Sequence, residues 1–433
     1  MPDVFASTLR GVFGLAAIYG FLYWYSENRK NINWRLVVGG FILQIIIAVL
    51  VMKVSFFNEL IGAVSTFFRN LLEFSVAGSS FIFGKLTTEH FNYGTTFAFK
   101  VLPSIVFFSA LSSLLYYLGA LQKIVFVFAW IMHKTMRLSG AESLAAAANV
   151  FVGQTEAPLI VRPYLDRMTK SEIVCLMTCG MATIAGAVLV AYMNILGGDD
   201  PVKQVEIGKH LIAASIMAAP GAIICAKMIV PEIGAVDRDL KVAKESIGVN
   251  MFDAVAVGTT QGVKLAVNVG AIVLVFLALM ALVNHITVEW IGSWTGINAG
   301  IDHATGGFYE GLTLQCLFGV IFAPVAFIIG IDSDSLLVVG QLLGQKMVLN
   351  EFVAFQDMKN MVDAGYLENE KSFLITTFAL CGFANFSSMG IQIGGIGVLA
   401  PSQRDNLARN AFRAMIGGTC ASLMVATLAG ILS

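Results

Sequence analysis

The stretch FVGQTEAPLIV, residues 151–161, sets a glutamate, Glu156, beside a glycine, a glutamine and a proline in an otherwise apolar segment. A carboxylate facing lipid is costly, so such a segment belongs inside protein or against a watery cavity. The apolar residues around it are too interrupted to cross a bilayer, which takes about 20 in a row. A re-entrant hairpin over 139–165 satisfies both constraints, and its tip can aim unpaired backbone groups at a ligand. Residues 334–357 read the same way, with Glu351 near the middle.

Composition supplies the setting for these two hairpins. Of 433 residues 57% are hydrophobic and 13% charged, with a mean hydropathy of +0.79, far from a soluble domain with about a quarter charged. The chain is therefore an all-α polytopic membrane protein, with the lipid bilayer as its solvent. A net charge of -1 argues against nucleic acid, which calls for clustered surplus Lys and Arg. Six cysteines lie in apolar segments without metal-like spacing and read as small buried hydrophobes.

Eight spans are expected, at about 8–25, 34–53, 101–121, 171–195, 208–230, 263–286, 372–398 and 408–432. The first is read as a retained helix, since it lacks a basic leader and a cleavage site. The 54–100 region, with Phe56, Phe57, Phe67 and Phe68 among polar residues, reads as a helix lying in the interface. Arg29, Lys30 and Arg35, then Arg238, Lys241 and Lys244, then Arg404, Arg409 and Arg413 mark the inner side. Both termini then fall on the outer, periplasmic side of a cytoplasmic (inner) membrane.

The two hairpins recur within a larger unit. FVFAWIM (126–132) precedes Glu156 as VIFAPVAFI (320–328) precedes Glu351, and each hairpin is followed by a span with a Cys-Gly pair, CGMATIAG (179–186) and CGFANFSS (381–388). Span, amphipathic helix, hairpin, span, span occurs twice, and the copies start with opposite directions in the membrane. Inverted repeats with broken elements meeting at the midplane are a transporter signature. The resulting division is 1–100 as N-terminal scaffold, 101–230 as the first repeat and 231–433 as the second.

At this level GQTEAPLIVRPYL (153–165), NEFVAF (350–355) and CGFANFSSMGI (381–391) resemble the signature segments of the concentrative nucleoside transporter family, in the expected order and nearly end to end. The resemblance, to a bacterial-type member, implies a homotrimer with a scaffold and a moving part, and uptake coupled to sodium or, in some members, protons. A nucleoside presents a base edge of mixed donors and acceptors and a ribose with vicinal hydroxyls. Gln154, Thr155 and Glu156 carry groups suited to the base, directly or through water. Glu351, Asn385 and Ser388 carry groups suited to hydroxyls, and by resemblance they hold the ribose. Phe383 offers an apolar wall for a planar base. Two carboxylates and no basic cluster at the tips point to nucleosides rather than nucleotides. Lys346 and Arg162, near the two tips, are each read as a charge partner or, in preference, a snorkelling anchor.

For the coupling ion, the resemblance places sodium at Asn149, Val152, Thr183 and Ile184. Asn149 and Thr183 offer neutral side-chain oxygens, and a break near Val152 and Ile184 would free carbonyls. Spacing alone favours the other reading, in which Asn149 caps the first hairpin helix and Thr183 bonds back to its own helix. Three alternatives stand beside the sodium symporter: a proton-coupled symporter using Glu156 or Glu351, a channel built on re-entrant loops, and an intramembrane enzyme, for which the chain lacks HExxH and GxSxG motifs.

Overall fold

The computed structural model describes residues 2–88, 97–234, 236–237 and 248–433, and every regular element among them is helical. The basic cluster at Arg238, Lys241 and Lys244 lies outside the described residues. Seven helical stretches are long and apolar enough to cross a membrane: Trp34–Lys53, Ser55–Phe83, Phe97–Tyr117, Lys170–Gly197, Pro201–Ile229, Met251–Thr295 and Pro401–Leu432. The first expected span lies within the helix Pro2–Tyr25. The helix Ser55–Phe83 has the lowest hydropathy of the seven, 1.2. Its outward face carries Phe56, Phe67, Phe74 and Phe81, the last 92% exposed, the amphipathic character expected of this region.

Both expected repeats follow the same order. In the first, Leu102–Tyr117 leads to the helix Ala120–Met136, then a hairpin of Gly140–Phe151, Ala157–Ile160 and Arg162–Leu165, a split span Lys170–Ala182 and Gly186–Gly197, and the unsplit Pro201–Ile229. In the second, Met251–His285 leads to Leu314–Ile329, a hairpin of Leu336–Val348 and Glu351–Asp363, a split span Glu370–Leu380 and Phe386–Leu399, and Arg404–Leu432. The contacts correspond as well. The two leading spans pack on each other, as do the two closing spans, and each hairpin's first helix lies on its own repeat's first half-helix. Each hairpin's returning arm crosses to the other repeat, Glu351–Asp363 meeting Gly186–Gly197 and Ala157–Ile160 meeting Phe386–Leu399.

Local sequence explains where these pieces start and stop. Ser139 and Glu142 form a reciprocal cap at the foot of the first hairpin, and Thr169 and Glu172 repeat the device at the first split span. Between them Ala145 to Ala148 are wholly buried, small side chains that let the hairpin sit deep among its neighbours. Thr183 is extended at φ -108° and ψ 171°, ending Lys170–Ala182. Asn385 is extended as well and caps the half-helix that it begins, its Oδ1 accepting from the Ser388 N–H at 2.8 Å. The two breaks press on each other at Gly382, whose φ is +108° and where a Cβ would lie 2.7 Å from the Ala182 carbonyl oxygen. Only glycine fits that conformation and that approach.

Burial separates two populations. The Lys170–Gly197 span is 94% buried and the Met251–Thr295 span 6%, so the first split span is sheathed in protein while most of the sixth faces outward. Polar backbone at membrane depth is tolerated when so sheathed.

A buried ion cluster fixes the foot of the first hairpin. The Lys227 ammonium pairs with Glu142 and with Glu232 at 3.3 Å, and donates to the Ser171 hydroxyl at 2.9 Å. It holds the hairpin foot to the end of Pro201–Ile229.

Candidate functional site

Both hairpin tips and both helix breaks open onto one cavity. The first tip contributes Gly153, Gln154, Thr155 and Glu156, the second Asn350 and Glu351. Ala185 and Val188 enter from the first break and Phe383, Ser387 and Ser388 from the second. Leu265, Val269 and Ile272 of the sixth span close one side with an apolar wall. Six of the seven residues expected to meet substrate line the cavity, and Asn385 stands just behind the lining.

Asn385 links the second tip to its break. Its Nδ2 donates to Glu351 Oε2 at 2.6 Å, and its Oδ1 accepts from the Ser387 hydroxyl at 2.7 Å as well as from the Ser388 backbone. The Glu351 carboxylate, 5% exposed, is thus held in one place with lone pairs left over. Behind it, Tyr192 from the first repeat packs its ring 4.3 Å from Phe355 and 5.0 Å from Phe352.

The first tip is tied across to the second repeat through its glutamine. Gln154 Nε2 donates to Ser388 Oγ at 3.1 Å, and Gln392 Nε2 donates to Gln154 Oε1 at 2.8 Å and to the Met177 carbonyl at 3.1 Å. Thr155 is exposed on the cavity side. Glu156 Oε2 is buried with no hydrogen-bond partner and lies back over Gly153, where a Cβ would come within 2.6 Å of it. An orphaned carboxylate oxygen on a residue that lines a cavity calls for a donor from elsewhere.

The four residues expected to hold sodium lie where two helices end. Asn149 is in the last turn of Gly140–Phe151, Val152 follows it, and Thr183 and Ile184 follow the end of Lys170–Ala182. The Ser215 hydroxyl ties these ends, donating to the Val150 carbonyl at 3.2 Å and accepting from the Ile184 N–H at 3.5 Å. Asn149 Nδ2 donates to the Ala145 carbonyl at 2.8 Å, which leaves its buried Oδ1 without a partner. That oxygen faces the last turn of the neighbouring half-helix, 3.4 Å from where a Cβ on Gly180 would lie. Thr183 Oγ1 donates to the Cys179 carbonyl at 2.8 Å, so only its lone pairs remain available. Bonding back to the helix and offering oxygen to a cation are therefore compatible here. Two converging helix C-termini add negative partial charge, and neutral oxygens of this kind suit a hard monovalent ion.

Three contributors were not read from sequence. Gln392 stands four residues beyond Ser388 in IQIGG, the same helical face one turn on, which was a usable signal. Ser215, a lone hydroxyl among alanines, and the apolar face of the sixth span carried none. The expectation for Lys346 is overturned. Its side chain does not snorkel; it is 3% exposed and donates to the Ala379 carbonyl at 2.8 Å. Arg162 is exposed, as an anchor would be.

Comparison with known proteins agrees with this arrangement. The family described as "Na+ dependent nucleoside transporter" matches with its C-terminal part over residues 210–430 and its N-terminal part over 13–86, and "Nucleoside recognition" matches 98–199. An uncharacterized transporter of Haemophilus influenzae is 41% identical over 98% of both chains. The mouse sodium/nucleoside cotransporter 1 is 37% identical over 97% of this chain, which spans 63% of that longer protein. Among solved structures, CNTnw in an inward-facing substrate-bound state superimposes with a TM-score of 0.88 at 38% identity, covering 98% of each chain. A variant of CNTnw in an outward-facing state gives 0.87 at 36% identity, covering 98% of this chain and 97% of the other. The chain is thus a multi-pass membrane transporter rather than an enzyme, and it belongs to the concentrative, sodium-dependent nucleoside transporter family.

Proposed function

We propose that the protein imports nucleosides such as uridine together with sodium, down an inward sodium gradient, across the cytoplasmic membrane. The observation that carries this reading is the single cavity onto which both hairpin tips and both helix breaks open, with Glu351 pre-paired to Asn385 and Glu156 left with an orphaned oxygen. Glu351, Asn385 and Ser388 take the ribose hydroxyls, a carboxylate accepting from two donors at once. Gln154, Thr155 and Glu156 take the base edge, directly or through water, and Phe383 walls the base. Sodium sits at Asn149 and Thr183 with carbonyls at Val152 and Ile184. The orphaned Asn149 oxygen supports this ion over the proton, since it offers a ligand that no proton needs.

Ion and substrate share the first hairpin, so sodium binding orders the tip and raises nucleoside affinity, and by linkage the nucleoside raises sodium affinity equally. Alternating access follows from motion of the two hairpins and split spans past a scaffold of the remaining helices. That scaffold forms a homotrimer, and the outward apolar face of the sixth span supports such an assembly. The helix Ser55–Phe83 lies in the interface, and both termini face the periplasm.

The test is accumulation of labelled uridine by proteoliposomes under an inward sodium gradient, an inward proton gradient, or neither. Accumulation with sodium alone is expected. Accumulation with protons alone would move the coupling role to a carboxylate, and flux without accumulation would make the protein a channel. UMP should fail to compete with uridine.

A further inference from the structure

The correspondence between the repeats extends to the ion site, where the counterpart of Asn149 is a lysine. Asn149 is the third residue from the end of the first hairpin's leading helix, Gly140–Phe151, and Lys346 is the third from the end of the second's, Leu336–Val348. Each of these helices packs on the first half-helix of its own repeat. Asn149 presents an unpartnered oxygen to the last turn of that half-helix. Lys346 presents an ammonium to the equivalent turn, bonded at 2.8 Å to the carbonyl of Ala379, one residue from the helix end. In both places two helix C-termini converge and leave carbonyls unsatisfied, a location that favours a cation.

The surroundings of Lys346 leave little else for the charge to answer. With Phe322, Leu343, Met347, Ala384 and Ile416, Lys346 lines an apolar cavity. An ammonium in apolar surroundings at membrane depth persists only with partners. The Ala379 carbonyl is one, and the carboxylate of Glu351, five residues on, is the charged group beside it.

We propose that Lys346 is a tethered cation that occupies, in the second repeat, the place that the coupling sodium takes in the first. The inference rests on the sodium reading given above. Its consequence is that one half of the site carries its positive charge bound into the chain, while the other must collect it from solution. One sodium ion then accompanies each nucleoside. Replacing the ammonium by the neutral oxygen found at Asn149 should open a second ion site.

The experiment is the ratio of labelled sodium to labelled uridine taken up by proteoliposomes, with the sodium activation curve, for the wild type, Lys346→Asn and Lys346→Arg. The wild type is expected to move about one sodium per uridine with a Hill coefficient of about 1. Lys346→Asn should move both values toward about 2, and Lys346→Arg should keep the wild-type values. A wild-type ratio of two overturns the proposal without any variant, as does Lys346→Asn transport with an unchanged ratio and curve. If Lys346→Asn is retained in folded form but does not transport, binding of labelled sodium to the purified variant decides: two ions per protomer support the proposal and one overturns it. Wild-type uptake indifferent to sodium would overturn the coupling reading itself, and is seen before any substitution is made.

Discussion

The two hairpin tips face the same cavity but are finished differently. At the second, Glu351 is 5% exposed and already bonded to Asn385, which is itself fixed by Ser387 and the Ser388 backbone. At the first, Thr155 is exposed and Glu156 keeps an oxygen with no partner. A pre-paired carboxylate is rigid and suits a ligand part that never varies. An unpartnered one must be completed by substrate or water and tolerates more than one pattern of donors. The ribose is the constant part of a nucleoside and the base the variable part, so the asymmetry matches the proposed division of labour.

The difference extends to the hairpin feet, where the largest effect is expected. The first is pinned by the buried Lys227 with Glu142 and Glu232, whereas at the entry to the second the ion pair, Arg10 with Asp332 at 3.7 Å, is partly exposed, and the arms are joined higher up by Gln341 and Gln345, which donate to Asp357 at 2.6 and 2.8 Å. Lys227→Met strands buried carboxylates and should cost about 3–5 kcal/mol, read as a fall in the melting temperature of the solubilised protein. A change within the error of the measurement would mean that the cluster does not hold the hairpin. Next in size, Glu351→Ala removes an acceptor for two hydroxyls, each such charged hydrogen bond being worth about 1.5–3 kcal/mol. Uptake at low substrate should fall by about 100-fold or more, and alike for uridine, cytidine and adenosine. A loss confined to one base would reverse the assignment of the two tips.

Much of this was legible in the chain and part was not. Glu156 and Glu351 announced themselves because carboxylates are rare in apolar segments, and the Cys-Gly pairs marked the two split spans because their composition repeats. The breaks at Thr183 and Asn385 follow from extended backbone that local sequence favours. Lys346 was misread because snorkelling depends on which way a helix face points, and only the assembled fold turns that face toward Ala379. Ser215 and the apolar wall of Leu265, Val269 and Ile272 were invisible for the same reason: a lone hydroxyl or a valine has no signature until the chain folds around it. The Lys227 cluster joins residues 85 and more apart in sequence with those beside it, so spacing could not reveal it.

A smaller effect tests the adaptable tip. Glu156→Gln keeps the shape and removes the charge, replacing one acceptor oxygen by a donor. Affinity should fall by about tenfold, some 1.4 kcal/mol, and unevenly among bases, since the bases differ in the donors they present. Equal losses for uridine and adenosine in competition assays would show a tip as rigid as the second and would end the contrast between them.

The smallest effect concerns the rim of the ion cluster and its dependence on pH. Burial alone would raise the Glu232 carboxyl, but its pairing with Lys227 at 3.3 Å and bonds from the Gly234 N–H at 2.9 Å and the Thr169 hydroxyl at 2.7 Å outweigh it. The group is therefore held below its ordinary value of 4.5. A carboxylate whose folded pKa is depressed contributes stability that is fully present above the unfolded value and disappears as pH falls through the folded one. Glu232 should thus add nothing pH-dependent to stability near neutrality and lose its contribution only below about 4.5. With the side chain 21% exposed, that contribution should be less than about 1 kcal/mol. The check is the melting temperature of wild type against Glu232→Gln from pH 7 to pH 3.5: the two curves should be separated at pH 7 and draw together in the acid limb. Curves that stay parallel throughout would show that the carboxylate is not what holds Thr169 and the 230s to Lys227, and that Glu142 alone anchors the first hairpin.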